Sequence, residues 1–90
     1  MKRKIKIEQM IKENFNLVLC KVKNVSENHR GHAGFIEGVE THLSILIVSD
    51  DFKNHTRIQR HRVVNDLLKP EFKNNLHSVT YNLLTKDEYK

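Results

Sequence analysis

The feature that most constrains the fold is a short apolar run over residues 43–48, which only Ser44 interrupts. The segment around it, residues 41–49, is rich in branched side chains, which favour strands. A nearly continuous apolar run is typical of a strand at the centre of a sheet. We therefore predict a central strand over residues 41–49. The run is far shorter than the ~20 residues that cross a bilayer, so we expect no membrane association.

Periodicity elsewhere predicts the elements around this strand. They are a helix over residues 4–14, strands over 17–25 and 77–84, and a main helix over 56–69 that ends at Pro70. Thr85 and Glu88 have capping-box spacing, which predicts a short last helix that carries Tyr89. The order αββαβα predicts an α+β fold in which helices cover one face of a three-stranded sheet.

The same patterns predict which side chains pack inward. The first helix is expected to pack through Ile7, Met10, Ile11 and Asn14, and the main helix through His61, Val64, Leu67 and Leu68. Inward residues of the outer strands are expected to be Val18, Cys20, Val22, Val79, Tyr81 and Leu83.

The size of the chain limits its function. Its 90 residues suit one domain, residues 1–90, which buries only about 60% of its unfolded surface. A deep substrate cavity does not fit in so small a core. The sequence also has no P-loop, dinucleotide fingerprint or nucleophile–base set. We therefore expect no enzymatic activity.

Charge and cysteine content bear on partners and location. The formal net charge is +5, which makes nucleic acid a partner to consider, although the basic residues cluster only at residues 2–4 and 60–62. Cys20 is the single cysteine and cannot form an internal disulfide, which fits a reducing compartment. The basic start of the chain leads into no continuous apolar segment of a secretory signal. We expect a cytoplasmic protein.

Residues 26–40 form a long segment without periodicity, in which three glycines lie among His29, His32 and other polar residues. Loops of this length in a small domain are usually functional or disordered. Imidazole is a common metal ligand, although most loop histidines are simply solvated. The spacing of the histidines matches no zinc motif. From the residues alone, a ligand role and a solvated role both stay open.

Three segments, in this order, resemble the BolA family. Glu-Thr-His-Leu at 40–43 leads into a strand that ends in Val-Ser-Asp-Asp-Phe at 48–52. Gln-Arg-His-Arg-Val-Val-Asn follows at 59–65, and Leu-His-Ser at 76–78 begins the strand before Leu-Thr-Lys-Asp-Glu-Tyr at 84–89. The Gln-Arg-His-Arg string is the most specific part of the likeness, which spans nearly all of the chain after the first helix.

The resemblance implies a class II KH-like αββαβα topology, with a small extra helical turn before the main helix. Two positions depart from the family pattern. Asn54 stands where the family usually has glycine after the phenylalanine, and asparagine tolerates the left-handed backbone that such a turn requires. Tyr89 replaces the family's final tryptophan with a similar amphipathic ring.

The resemblance also implies a non-enzymatic function in iron–sulfur cluster assembly, transfer or iron sensing. Its partner would be a monothiol glutaredoxin, and the two proteins would share a [2Fe–2S] cluster held by a glutaredoxin cysteine, glutathione and two side chains of this chain. One ligand is then His77. The other is a loop histidine, for which His32 is the better match and His29 the competitor, whereas Cys20 lies in a strand and is no credible substitute.

The remaining basic residues are interpreted from their pattern. His42 and His61 are expected to make buried structural hydrogen bonds. Arg60 and Arg62 are expected to project outward, where they either form a solvated face or contact acidic groups of a partner, glutathione or phosphate. The alternative function is DNA-binding regulation. Against it, Gly-His-Ala-Gly at 31–34 lies between two strands, not between two helices as in a KH nucleic-acid loop.

Overall fold

A computed structural model describes residues 2–89, which form a three-stranded sheet and a layer of helices. The elements are α1 (Arg3–Asn14), β1 (Leu17–Asn24), β2 (His42–Ser49), α2 (Arg57–Leu67), α3 (Lys69–Phe72) and β3 (Ser78–Leu84). Two 3₁₀ turns, Ser26–His29 and Asp50–Phe52, follow β1 and β2. Every helix over residues 2–89 is too short or too polar to cross a bilayer.

The sheet has the strand order β1-β2-β3, so the prediction of a central strand is confirmed. β1 pairs with β2 in antiparallel orientation, and β3 pairs with β2 in parallel orientation. A parallel pair needs a crossover connection, which α2 and α3 supply between β2 and β3. Because of this connection β2 and β3 run in the same direction, and residues at their starts lie side by side.

One face of the sheet packs against the helices. Leu43, Ile45 and Ile47 of β2 belong to the hydrophobic core, and they are at most 1% exposed. The helices contribute Ile7, Ile11, Val64 and Leu68. The alternate residues of β2, such as Leu46, point to the other face and lie outside the core cluster. The prediction of an α+β fold with helices on one face of the sheet is confirmed.

A β-bulge changes the predicted face of β1 near its start. Leu17 pairs with Ser49 and Leu19 with Val48, so Val18 is an extra residue without a partner. As a result Leu17 packs against the core and Val18 is 52% exposed. The prediction that Val18 faces inward is wrong, because alternation fails where an extra residue is inserted.

Two predicted inward residues of the helices are also exposed. Asn14 lies at the surface, where its side-chain amide donates to the Met10 carbonyl one turn earlier. His61 is exposed and lies edge-on to the Tyr81 ring, with a centroid distance of 5.2 Å. The inward position next to it is taken by Arg60, which is buried. The expected buried structural role of His61 is therefore wrong.

The end of the chain differs from the prediction because the capping pattern does not propagate. The Thr85 backbone N–H donates to the Glu88 carboxylate at 2.7 Å, and the Glu88 N–H donates to the Thr85 hydroxyl at 3.4 Å. Both capping-box bonds form, but residues 86–88 make a single turn and no helix. A short helix that was not predicted, α3, lies at Lys69–Phe72, across the proline at which the main helix was expected to end.

The turn that leads into α2 agrees with the prediction. Asn54 has φ 65°, so it adopts the left-handed conformation that asparagine tolerates. The 3₁₀ turn Asp50–Phe52 is the expected extra helical turn before the main helix. Thr56 caps α2 in a complete capping box with Gln59. Local hydrogen bonds therefore fix the start of α2 without help from the core.

Candidate functional site

The loop over residues 25–41 is closed at its base by Ser26. The Ser26 hydroxyl oxygen accepts from the backbone N–H groups of Thr41 and His42 at 3.0 and 3.1 Å. It also donates to the Asn24 side chain at 2.6 Å, and the Val25 N–H donates to the His42 carbonyl at 2.9 Å. Ser26 is only 4% exposed. Both ends of the loop are thus anchored, and nothing in the sequence pattern predicted this role.

A second anchor connects the end of the loop to α1. The Glu40 carboxylate accepts from the Lys4 backbone N–H at 2.8 Å, and the Glu40 carbonyl accepts from the Arg3 guanidinium. Arg3 and Lys6 also bind Glu71, at 3.0 and 2.9 Å. Burial opposes ionisation of Glu71, but its hydrogen bonds to Lys6 and Arg3 outweigh that effect and lower its pKa. The anchor therefore holds an ionised carboxylate in a buried position.

Between these anchors the loop passes directly over His77. Gly34 has φ +81°, and a Cβ at that position would overlap the His77 ring. Gly31 has nearly the same φ, +82°, but faces open space. Glycine at residue 34 is thus required twice, for the left-handed backbone and for the close approach to the imidazole.

The position of His77 is fixed by its backbone and not by its side chain. The N–H groups of His77 and Ser78 both donate to the Thr41 carbonyl, at 2.8 and 3.2 Å. The imidazole itself is exposed. His77 therefore has a rigid attachment at the start of β3 and a ring that can meet an outside group.

Four imidazoles meet at this end of the sheet, and together they are called the imidazole cluster: His29, His32, His42 and His77. The His29 ring stacks on the His42 ring at 4.2 Å between centroids, with an angle of 10° between planes. The His42 and His77 rings are 5.2 Å apart, and the His32 ring lies edge-on to His29 at 5.8 Å. The fold thus brings together the three predicted ligand residues, His29, His32 and His77.

His42 is the buried centre of the cluster. It is 4% exposed, and its Nδ1 lies 2.8 Å from the Thr41 hydroxyl. Burial lowers its pKa, and the neighbouring imidazoles of His29, His77 and His32 lower it further. A neutral ring can be packed without a counter-ion. The predicted structural role of His42, a buried hydrogen bond, is confirmed.

The cluster does not form a complete metal site by itself. Within residues 2–89, no three His, Cys, Asp or Glu side chains are arranged to hold a metal ion. His32 and His77 are exposed and His29 is half-buried, so ring nitrogens lie at the surface next to a loop with glycine hinges. Such a donor set suits a group whose other ligands come from a second molecule.

Arg60 lies at the opposite end of the sheet and is wholly engaged. Its guanidinium donates to the Glu88 carboxylate at 2.6 and 3.3 Å, to the Leu83 carbonyl at 3.0 Å and to the His55 carbonyl at 3.1 Å. It is 8% exposed. The hydrogen bond from Arg60 lowers the pKa of Glu88 to about 2, with help from the Thr85 N–H.

The expectation that Arg60 projects outward is therefore wrong. In the Arg-His-Arg string, the first arginine is buried and the histidine is exposed, which reverses the expected pattern. The Arg60 guanidinium lies over the Phe52 ring, 5.8 Å from its centroid. Arg62 is exposed, as expected.

Cys20 has the environment of a core residue. It is half-buried and packs against the hydrophobic core. Burial raises the pKa of its thiol, and Glu8 raises it further. A protonated thiol is a poor metal ligand.

Comparison with protein families gives a match over most of the chain. The family described as BolA-like protein matches residues 11–88. A protein of Haemophilus influenzae named DNA-binding transcriptional regulator BolA is 36% identical over 84 residues, which cover 93% of this chain and 78% of that protein.

Solved structures give the same result. The BolA domain of SufE1 from Arabidopsis thaliana superposes with a TM-score of 0.87 at 34% identity, over 96% of this chain and 94% of that one. BolA1 from the same plant has a TM-score of 0.89 at 26% identity, over 100% and 99% of the two chains.

Proposed function

Because the chain belongs to the BolA family, we propose that it is a non-enzymatic protein that binds a [2Fe–2S] cluster shared with a monothiol glutaredoxin. In this proposal a glutaredoxin cysteine and glutathione supply the remaining ligands. The cluster is cargo to be assembled, transferred or sensed. The protein itself breaks no bond of a substrate.

The observation that carries the proposal is the imidazole cluster. His77 is 45 residues from His32 in sequence, yet both rings belong to one chain of ring contacts through His29 and His42. Imidazoles that meet at one edge have the donor chemistry that iron accepts. A histidine ligand carries less negative charge than a thiolate and so raises the reduction potential of such a cluster.

Of the two loop histidines, His32 is our preferred ligand. The face of the His29 ring is already covered by the buried His42 ring, whereas His32 is exposed and lies between the two left-handed glycines 31 and 34. A ring on that segment can turn toward a partner while His77 stays fixed in the sheet. His29 is the competing ligand.

Reconstitution tests this assignment. The protein is mixed with a monothiol glutaredoxin, glutathione, iron and sulfide, and the shared cluster is followed by visible circular dichroism. We expect His77→Ala to abolish the spectrum of the mixed cluster and His32→Ala to shorten its lifetime at least about tenfold. His29→Ala is expected to have a smaller effect. His55→Ala, an exposed histidine at the other end of the sheet, is the matched control.

The result that contradicts the proposal is a mixed cluster with unchanged spectrum and lifetime in both His77→Ala and His32→Ala. A larger loss in His29→Ala than in His32→Ala would keep the proposal but exchange the loop ligand. Far-ultraviolet circular dichroism of each apo variant shows whether the fold survives.

DNA binding is the second candidate, since several relatives are named DNA-binding transcriptional regulators and the chain carries a net charge of +5. Arg62 is exposed and can contact phosphate, whereas the guanidinium of Arg60 has no such freedom. If phosphates are bound, affinity for duplex DNA falls steeply with salt, and Arg62→Ala reduces the slope by about one. A salt slope near zero would exclude phosphate contacts.

A further inference from the structure

On the face of the sheet that lies away from the helices, most side chains of the two outer strands are exposed or half-buried. The strand register places two rows of side chains across it: Lys21, Leu46 and Asn82 in one row, and Lys23, Ser44 and Thr80 in the next. Leu19 and Leu84 extend the face beyond these rows, on either side of Val48, which is fully buried. The eight residues other than Val48 are called the open sheet face. None of its hydrophobic members belongs to the core cluster.

The charge of this face has one sign. None of the three strands contains an acidic residue, whereas Lys21 and Lys23 are both exposed on β1. A shallow depression of about 250 Å³ lies between the two lysines, Leu46 and Asn82. Two cations beside this depression complement a partner surface that carries carboxylates.

The rest of the face is apolar. Leu19, Leu46 and Leu84 are half-buried, so each still presents hydrocarbon to solvent. An apolar patch beside charged residues is the usual composition of a protein–protein interface. Nucleic acid would use the lysines but would gain little from three leucines.

The open sheet face is continuous with the imidazole cluster. Along β2, His42 has the same parity as Ser44 and Leu46, so its ring lies on this side of the sheet. It is buried there because the loop packs over it, with the His29 ring stacked on its face. A protein seated on the open sheet face would therefore adjoin the loop that covers the His42 ring and carries His29 and His32.

We propose that the open sheet face is the docking surface for the protein that supplies the shared cluster, and that the docked surface of this partner is acidic. The proposal rests on the proposed function, because it takes the cluster-bearing glutaredoxin as the occupant. Docking on this face would place a cluster at the imidazole edge without any change in the helix layer. A second copy of this chain is a poor occupant, because it would set Lys21 and Lys23 against a surface with the same charges.

The test is a charge reversal on the face with a matched reversal elsewhere. We expect Lys21→Glu/Lys23→Glu to weaken binding of the glutaredoxin about tenfold, measured by titration calorimetry with and without the cluster, because opposed charges steer association. The affinity should also lose most of its salt dependence. Lys12→Glu/Lys73→Glu makes the same change in net charge on exposed residues of the helix layer and should bind like the wild type. At saturating partner the cluster spectrum should not change.

The outcomes separate the two proposals. If the two double variants bind the glutaredoxin equally well and His77→Ala still loses the cluster, only the docking proposal is overturned. If apo glutaredoxin binds Lys21→Glu/Lys23→Glu more weakly than it binds the wild type, but the wild type forms no shared cluster, the docking proposal is supported and the cluster proposal is overturned. Unchanged glutaredoxin binding with weakened DNA binding or self-association would overturn the docking proposal in favour of those occupants. A wild type that binds no glutaredoxin would overturn both.

Discussion

The two ends of the sheet both gather basic side chains, but they treat them in opposite ways. At the start of β2 and β3, four imidazoles contact one another, and two of them, His32 and His77, are exposed. At the ends of the same strands, Arg60 is buried, and its guanidinium is bound by Glu88 and by the carbonyls of Leu83 and His55. One end is organised around contacts between imidazole rings, and the other around a compensated charge.

The difference follows from the chemistry of the two side chains. Guanidinium stays charged at any physiological pH, so burial of Arg60 requires hydrogen-bond acceptors and a counter-ion. Imidazole can lose its proton, so several rings can pack together without counter-ions. A buried arginine therefore indicates a structural role. Histidines, by contrast, can pack together and still bind a further group.

The largest expected effect is at the arginine end. We expect Arg60→Ala to lower the free energy of unfolding by about 3 kcal/mol, because it leaves two carbonyls without their donor and breaks a pair with one buried partner. Glu88 is half-exposed and can be rehydrated, which limits the loss. Urea denaturation measures the change. Arg62→Ala is the control, and its free energy of unfolding should lie within about 0.5 kcal/mol of the wild-type value.

If the two ends of the sheet are independent, the Arg60→Ala variant should still form the reconstituted cluster at temperatures at which the variant stays folded. A loss of stability equal to that of Arg62→Ala would contradict the structural role of Arg60. A loss of the cluster in the folded variant would contradict the separation of the two ends.

The next effect sharpens the comparison at the histidine end. Gly34→Ala and Gly31→Ala impose the same left-handed backbone on alanine, which costs about 1–2 kcal/mol in each variant. Only Gly34→Ala also forces the His77 ring away. In Gly34→Ala, but not in Gly31→Ala, we expect the His77 imidazole proton signals to shift in NMR spectra. The shared cluster should also be lost faster in Gly34→Ala than in the wild type. Identical spectra for the two variants would show that the loop does not position His77.

The smallest effect is the acid response of the arginine end. The pKa of Glu88 is lowered to about 2 in the folded protein, below its usual value of about 4.3 when unfolded. The carboxylate therefore stabilises the fold at pH above about 4.5, and this contribution disappears as the pH falls from there to about 2. In urea denaturation, the advantage of wild type over Glu88→Gln should shrink across that interval. A constant difference between pH 6 and pH 2.5 would contradict the assigned pKa.

Local patterns predicted most of the elements correctly. The apolar run of β2, the helical spacing of Ile7 and Ile11, and the spacing of Val64 and Leu68 around α2 each depend on residues near in sequence, so their outcome could be predicted. The predictions that were wrong depend on distant partners. Arg60 is drawn inward by Glu88, 28 residues away, and the bulge at Val18 is set by pairing with β2.

The candidate site divides in the same way. The family likeness singled out His77 and the loop histidines, and the glycines marked their segment as a loop. Ser26, which closes that loop, gave no signal, because two of its three partners, Thr41 and His42, become its neighbours only when β1 and β2 pair. The contact between Gly34 and His77 likewise has no trace in residue spacing.

By itself, the sequence determined the kinds and order of the three strands and the two longer helices, the central place of β2 and the absence of a second cysteine for a disulfide. Only the tertiary structure decided which basic residues are buried with partners and which rings meet at an edge. The reason is physical: secondary structure follows from interactions within a few residues, whereas burial of a charge and convergence of ligands depend on groups that the parallel crossover from β2 to β3 brings together.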